Sequence, residues 1–195
     1  TLDGRLTSGE LKGSKMSRDA LHMQFLGLLA VALVAASVSG CTWVTRTGEL
    51  RTESQIVELD GAEYAQVDLK MGAGGLTLSG GADALAQADF TYNVPDWEPI
   101  IDYAVVSGEH GELRIEQPEL GNLGLESYRY EWDVTLNNEV PMELDVALGA
   151  GESELDVSTL NLTRLDLNAG VGVVEIDLRG DRQQDLDVTI RGGVG

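Results

Sequence analysis

Cys41 is the only thiol of the chain. It directly follows Val38-Ser39-Gly40 at the end of an uncharged apolar run, residues 25–36 (FLGLLAVALVAA). With no second cysteine to form a disulfide, a free thiol in that place, behind an export signal, would be exposed to oxidation. Other reactive groups are sparse. His22 falls within the leader, and His110 lies in Ser107-Gly108-Glu109-His110-Gly111, which reads as a turn carrying a solvated imidazole rather than a base. A Ser-His-Asp assembly needs positioned partners, and no Gly-x-Ser-x-Gly setting is present. Zinc needs clustered Cys and His, and Gly72-Ala73-Gly74 lacks the lysine and the following helix of a phosphate loop. The expectation is therefore no catalytic residue, no metal and no cofactor. Carboxylates are abundant, and a hydrolase or lyase acting on envelope glycans is the alternative reading. It would need two acids, one with a raised pKa, across a groove about one sugar wide. The acids here recur at repeat positions instead, as solvated faces do.

An apolar run followed by small residues is the pattern of a secretory signal. At under 20 residues it is too short to span a bilayer. Met16 is the better start, because Met23 would leave no basic residue before the run. Residues 1–15 are then upstream, non-native translation, 16–40 the signal peptide, and 41–53 a short polar tether. Val38-Ser39-Gly40-Cys41 resembles the lipobox of bacterial lipoproteins. That resemblance implies a diacylated Cys41 as the mature N-terminus, outside the cytoplasmic membrane. With Thr42 next in line, it implies the outer membrane and periplasm where the host has two membranes.

The chain has 13 Lys and Arg against 33 Asp and Glu, a net charge of −20. Arg5, Lys12, Lys15 and Arg18 precede Cys41, so the exported part is acidic almost throughout. Such a field repels nucleic acid, and it makes a lipid anchor rather than a basic face the route to the bilayer. Leu, Val and Ile in a tight pattern argue for a folded domain over residues 54–195 rather than disorder.

Apolar and polar residues alternate at 55–59, 65–69, 88–92, 101–105, 112–115 and 131–136, each stretch bounded by Gly, Asn, Pro or Asp. No segment after the leader has a helical period, so the class is all-β. Leu144-Asp145-Val146, Leu165-Asp166-Leu167 and Leu186-Asp187-Val188 begin 21 residues apart, each followed by a glycine turn. Glu154-Leu155-Asp156-Val157 and Glu175-Ile176-Asp177-Leu178 keep the same spacing, and Val67-Asp68-Leu69 with Gly72-Ala73-Gly74 is an earlier copy. Repeats of this kind predict a β-solenoid, a single-stranded β-helix-like stack with 21-residue coils. In such a stack Leu144, Val146, Leu148, Leu155 and Val157 point inward and Asp145 and Asp156 outward. It also predicts like-charge columns, Asp145–Asp166–Asp187 with Glu154–Glu175 and Asp156–Asp177 beside them. Residues 82–131 hold most of the aromatics and read as a less regular antiparallel middle segment, an insertion against the stack end that could present a specific surface.

Val67-Asp68-Leu69 with Gly72-Ala73-Gly74-Gly75-Leu76-Thr77-Leu78, residues 136–144 (LNNEVPMEL), and Gly149-Ala150-Gly151-Glu152 running into Leu155-Asp156 resemble the toast-rack domain. This family is related to LiaF-like cell-wall-antibiotic-response proteins and to proposed adhesins of the bacterial envelope. The resemblance runs from about residue 53 to 195. It implies a ladder-like all-β fold without established enzyme activity, and a domain that continues further, so that this chain would be truncated in mid-repeat. The function expected is a non-enzymatic, lipid-anchored envelope protein, a binding, structural or stress-sensing module. Its partners would be the membrane through Cys41 and an envelope signalling protein or surface glycan.

Overall fold

Three Gly-x-Gly segments, at 72–74, 149–151 and 170–172, mark where long strands turn a corner, and a fourth, at 193–195, lies at the end of a shorter strand. The structure, a computed structural model, describes residues 44–45, 47–119, 122–123, 128–180 and 184–195. The chain divides into two units, Thr1–Thr42 and Trp43–Gly195. All described residues belong to the second, so Cys41 and the leader lie outside them.

The strands are β1 (Val44–Thr45), β2 (Arg51–Val57), β3 (Tyr64–Ala82), β4 (Ala86–Tyr92), β5 (Ile100–Val106), β6 (His110–Glu116), β7 (Asn122–Leu123), β8 (Tyr130–Asn137), β9 (Met142–Asp156), β10 (Leu162–Asp177) and β11 (Asp187–Val194). One 3-10 turn spans Pro95–Trp97. The stretch read as a tether contributes β1, which pairs with β7, and the first residues of β2.

β3, β9 and β10 are long strands bent at their glycines, and each contributes an arm on either side of the bend. The first arms form one sheet in the order β5-β6-β3-β9-β10-β11, and the second arms another in the order β2-β4-β8-β3-β9-β10. The result is an open stack of bent strands, all-β, and not a closed barrel.

Alternation puts one apolar row after another on the inner side of each arm. One first-arm row runs Tyr103, Leu113, Val67, Leu144, Leu165, Val188, and the next runs Ile101, Ile115, Leu69, Val146, Leu167, Ile190. The second arms answer with Phe90, Trp132 and Leu76, and with Ala88, Val134, Leu78, Leu155 and Ile176. Apart from Val188 and Ile190, which are exposed, these rows form one continuous core, in which each fully buried Leu is worth roughly 1.5–3 kcal/mol.

The bends work because their residues are glycine. The second glycine of each bend holds φ of +149° (Gly74), +145° (Gly151) and +141° (Gly172), where a side chain is disfavoured. The first glycine leaves no space above it: a Cβ on Gly149 would press into the Gly72 carbonyl, and one on Gly170 into that of Gly149.

Two expectations are corrected here. The offset is 21 residues from β9 to β10, where Leu144 pairs with Leu165. From β10 to β11 it is 23, where Leu165 pairs with Val188 and Arg164 with Asp187. A longer return after β10 absorbs the two extra residues. Because two is even, every side chain keeps its face while its neighbour changes. Leu186 therefore does not stack on Leu165, and Asp187 sits beside Arg164 rather than beside Asp166. The second correction concerns residues 82–131. β5 and β4 pair antiparallel to β6 and β8, but β6 and β8 themselves add to β3 in parallel and continue both sheets.

Candidate functional site

The outward positions of the two sheets form two ladders with different electrostatics. On the first-arm sheet the middle row reads Asp102, Arg114, Asp68, Asp145, Asp166, Thr189. Asp68, Asp145 and Asp166 are neighbours across strands, as the repeat predicts for Asp145 and Asp166, but each of these three lies beside an arginine. Arg114 lies 3.6 Å from Asp68, Arg164 3.0 Å from Asp145 and 2.9 Å from Glu143, and Arg191 2.8 Å from Asp166. Burial pushes the Asp145 carboxyl above its ordinary pKa. Arg164 opposes that shift, and the Asp68 and Asp166 carboxylates on either side add to it.

The second-arm sheet presents an acidic face. One row reads Ser54, Asp89, Asp133, Thr77, Glu154, Glu175, and the next reads Thr52, Thr91, Glu131, Gly75, Glu152, Val173. A groove of about 660 Å³ runs over these rows. Asp89 accepts a hydrogen bond from Ser54, and Glu131 pairs with Arg129 at 2.8 Å. At the end of the sheet Asp156 and Asp177 are in register, as expected, and Arg179 lies 2.5 Å from Asp177. The hydrogen bonds from the Arg179 side chain and backbone hold Asp177 down to about 2.

The bend of β3 has a cap that sequence reasoning missed. The buried side chain of Gln117 accepts from the backbone N–H of Gly72 (2.7 Å) and Ala73 (2.8 Å), and its amide donates to the Ala73 carbonyl (3.2 Å). It stands where the bend of a further strand would stand, because β6 ends at Glu116 and the chain leaves the stack there. A lone Gln after a predicted strand was the available signal, and nothing local distinguished it from a solvated loop residue.

His110 opens β6 rather than sitting in a solvated turn. Its ring packs edge-on against Tyr64 with centroids 4.4 Å apart, and Nε2 lies 3.8 Å from Glu112. The aromatics of residues 82–131 are also reassigned. Phe90, Tyr92, Trp97 and Tyr130 are buried, Tyr103 is partly buried and Tyr128 is exposed, so most of these rings supply core. Within the core Tyr92 donates to Glu53 at 2.8 Å, and burial together with that bond raises its pKa to about 12. Among the described residues no group of three or more His, Cys, Asp or Glu is placed to hold a metal ion, and no helix is long and apolar enough to cross a membrane.

The bent, glycine-hinged strands and their two ladders have a counterpart among known families. The family described as the N-terminal domain of toast_rack, DUF2154, matches residues 46–195. The chain belongs to the toast-rack family. A crystal structure of a proposed cell adhesion protein from Clostridium sporogenes ATCC 15579 is 36% identical, with a TM-score of 0.68 over 74% of this chain and 68% of that one. A proposed adhesin from Parabacteroides merdae ATCC 43184 (12% identity, TM-score 0.32) covers 73% of this toast-rack chain and 53% of its own. A proposed lipid binding protein from Parabacteroides distasonis ATCC 8503 (12%, 0.34) covers 73% and 60%. No curated protein matches this chain.

Proposed function

We propose that this toast-rack protein is a non-enzymatic binding module of the bacterial cell envelope, lipid-anchored through Cys41 and facing outside the cytoplasmic membrane. Its ligand is a surface glycan or the exposed part of an envelope signalling protein. The observation that carries the binding reading is the second-arm ladder, where the fold lays Asp89, Asp133, Glu154 and Glu175 in one row and Glu131 and Glu152 in the next, above a continuous groove. A flat ladder of repeated polar side chains suits contact with an extended or repetitive partner. Membership of the toast-rack family, and a 36% identical relative described as a proposed adhesion protein, support the same reading. The anchor rests on Val38-Ser39-Gly40-Cys41 behind the apolar run.

Two measurements on the protein expressed from Met16 in a bacterium test the two parts separately. Wild type is expected to incorporate an alkyne-tagged fatty acid and partition into detergent, and Cys41→Ala to lose both. An unlabelled wild type refutes the anchor. For binding, Asp133→Lys with Glu154→Lys is expected to lose the partners captured by wild type from envelope extracts while keeping its far-UV spectrum. Unchanged capture refutes the role of this face. Deleting residues 82–131 would not serve, since that segment holds much of the core.

A further inference from the structure

The β2 end of the stack is stepped. Counting outward from β3, the second arms add three strands, β8, β4 and β2, whereas the first arms add two, β6 and β5. The step is made by residues 51–137, in the interior of the chain. Among the described residues nothing pairs with the outer edge of β5. The two outermost strands differ in how they meet solvent. β2 turns Arg51, Glu53 and Gln55 to the inner side, in register with Tyr92, Phe90 and Ala88, and charges aimed inward keep an edge from pairing. β5 carries no such guard. Ile101, Tyr103 and Val105 lie inward beside Ile115, Leu113 and Gly111, while Ile100, Ala104 and Val106 lie outward with Asp102 as the only charge among them. Ile100 is 49% exposed. An edge strand that is apolar on both faces is a template for strand addition.

We propose that the outer edge of β5 takes a β-strand from another polypeptide, apolar at its inward positions and bearing Lys or Arg at its outward ones. Charge names the occupant. Across the outer face Asp68, Arg114 and Asp102 alternate in register, and Arg114 already lies 3.6 Å from Asp68. A cation added beside Asp102 continues that alternation, whereas an acid would face Asp102 directly. Beside Ala104 the same holds at one remove, because only a methyl group stands between the added side chain and Glu112, itself 57% exposed. A second copy of β5 would bring no cation to either place. Inward, the apolar residues of the added strand extend the rows of Ile101, Tyr103 and Val105 and come to the level of β2, where Gln55 is exposed and Val57 half-buried. A seven-residue strand, about 23 Å long, matches β5. The proposal is independent of the lipid anchor and of the acidic-face reading, and its failure leaves both standing.

The probe is a fluorescein-labelled peptide of about seven residues, valine alternating with lysine and threonine at both ends. It is compared with its valine–glutamate counterpart and with a block peptide of the same composition. Anisotropy titration against the whole chain is expected to give saturable binding of the alternating lysine peptide, about tenfold tighter than the glutamate peptide at low salt, with the gap narrowing as salt rises. Hydrogen exchange is expected to slow at residues 100–106. Asp102→Lys is expected to reverse the peptide preference, and Ala104→Lys to weaken the lysine peptide about tenfold. Both positions are exposed and outward, so β3 is expected to keep its exchange protection. Should either lysine variant lose that protection, the nearly isosteric Asp102→Asn decides in its place, and is expected to narrow the gap between the two peptides. No saturable binding, equal binding of the glutamate or block peptide, an unchanged preference in the Asp102 variants, or protection on β4 and β8 instead overturns the proposal. A dimer of the chain that protects residues 100–106 also overturns it, in favour of a second copy as the occupant.

Discussion

Replacing Gly149 by alanine tests the bent-strand stack most directly. The added methyl group would lie about 1 Å or more too close to the Gly72 carbonyl, a backbone atom that no rotamer change can move aside. β9 has β3 below it and β10 above it, so relief requires prising the strands apart at the bend. Overpacking a close-packed interior costs roughly 1–3 kcal/mol. Losing one or two neighbouring ladder hydrogen bonds adds about 1 kcal/mol each. The expected loss is therefore about 2–5 kcal/mol, a large part of the stability of a domain this size. Gly193→Ala makes the same clash with the Gly170 carbonyl, but from a strand that among the described residues is paired on one side only, and is expected to cost less. Gly192→Ala is the control, since its methyl meets nothing within 4 Å and it continues the column of Leu148 and Ala169. There the change is expected to be neutral or to stabilise by up to about 1 kcal/mol. Urea unfolding followed by far-UV circular dichroism ranks all three. Gly149→Ala within 0.5 kcal/mol of wild type, or as mild as Gly192→Ala, would refute the stacked bends, taking about 0.5 kcal/mol as the usual scatter of surface changes.

Gln117→Leu removes the partners of two backbone N–H groups and one carbonyl at the bend of β3, and is expected to cost about 2–4 kcal/mol in the same unfolding assay; a neutral result would mean that water replaces the amide. Arg164 and Asp187 are register partners, so a double-mutant cycle with Arg164→Gln and Asp187→Asn is expected to return a small favourable coupling of about 0.2–1 kcal/mol. Zero coupling, with repulsion found between Asp166 and Asp187 instead, would restore the 21-residue step. Tyr92 has a folded pKa of about 12 against an unfolded value near 10. Its contribution is fully present below pH 10 and lost as pH rises toward 12. Stability measured by urea unfolding at pH 9, 10, 11 and 12 is expected to fall progressively in wild type and less steeply in Tyr92→Phe. Parallel curves would remove Tyr92 from the cause.

Side-chain direction and class were legible in the residues themselves. Alternation at 65–69, 88–92, 112–115 and 131–136 named strands and their inner faces, because facing depends only on a two-residue period along one strand. The glycine pairs at 72–74, 149–151 and 170–172 named the bends, because a missing Cβ is a local property. The repeat likewise put Asp145 beside Asp166 and Glu154 beside Glu175. What neighbours what across a longer return was decided by tertiary structure. The two extra residues between β10 and β11 moved Asp187 from an acid to Arg164 without turning it over, a change invisible to a periodicity of two. Long-range pairing put β3 between β8 and β9, although β8 runs directly into β9 in sequence. It also drew Phe90, Tyr92, Trp97 and Tyr130 into the core, and brought Gln117 to a bend 45 residues earlier in the chain. Each of these depends on which strands share a sheet edge, which is settled by burial and hydrogen bonding summed over the whole stack and carries no mark in any one segment.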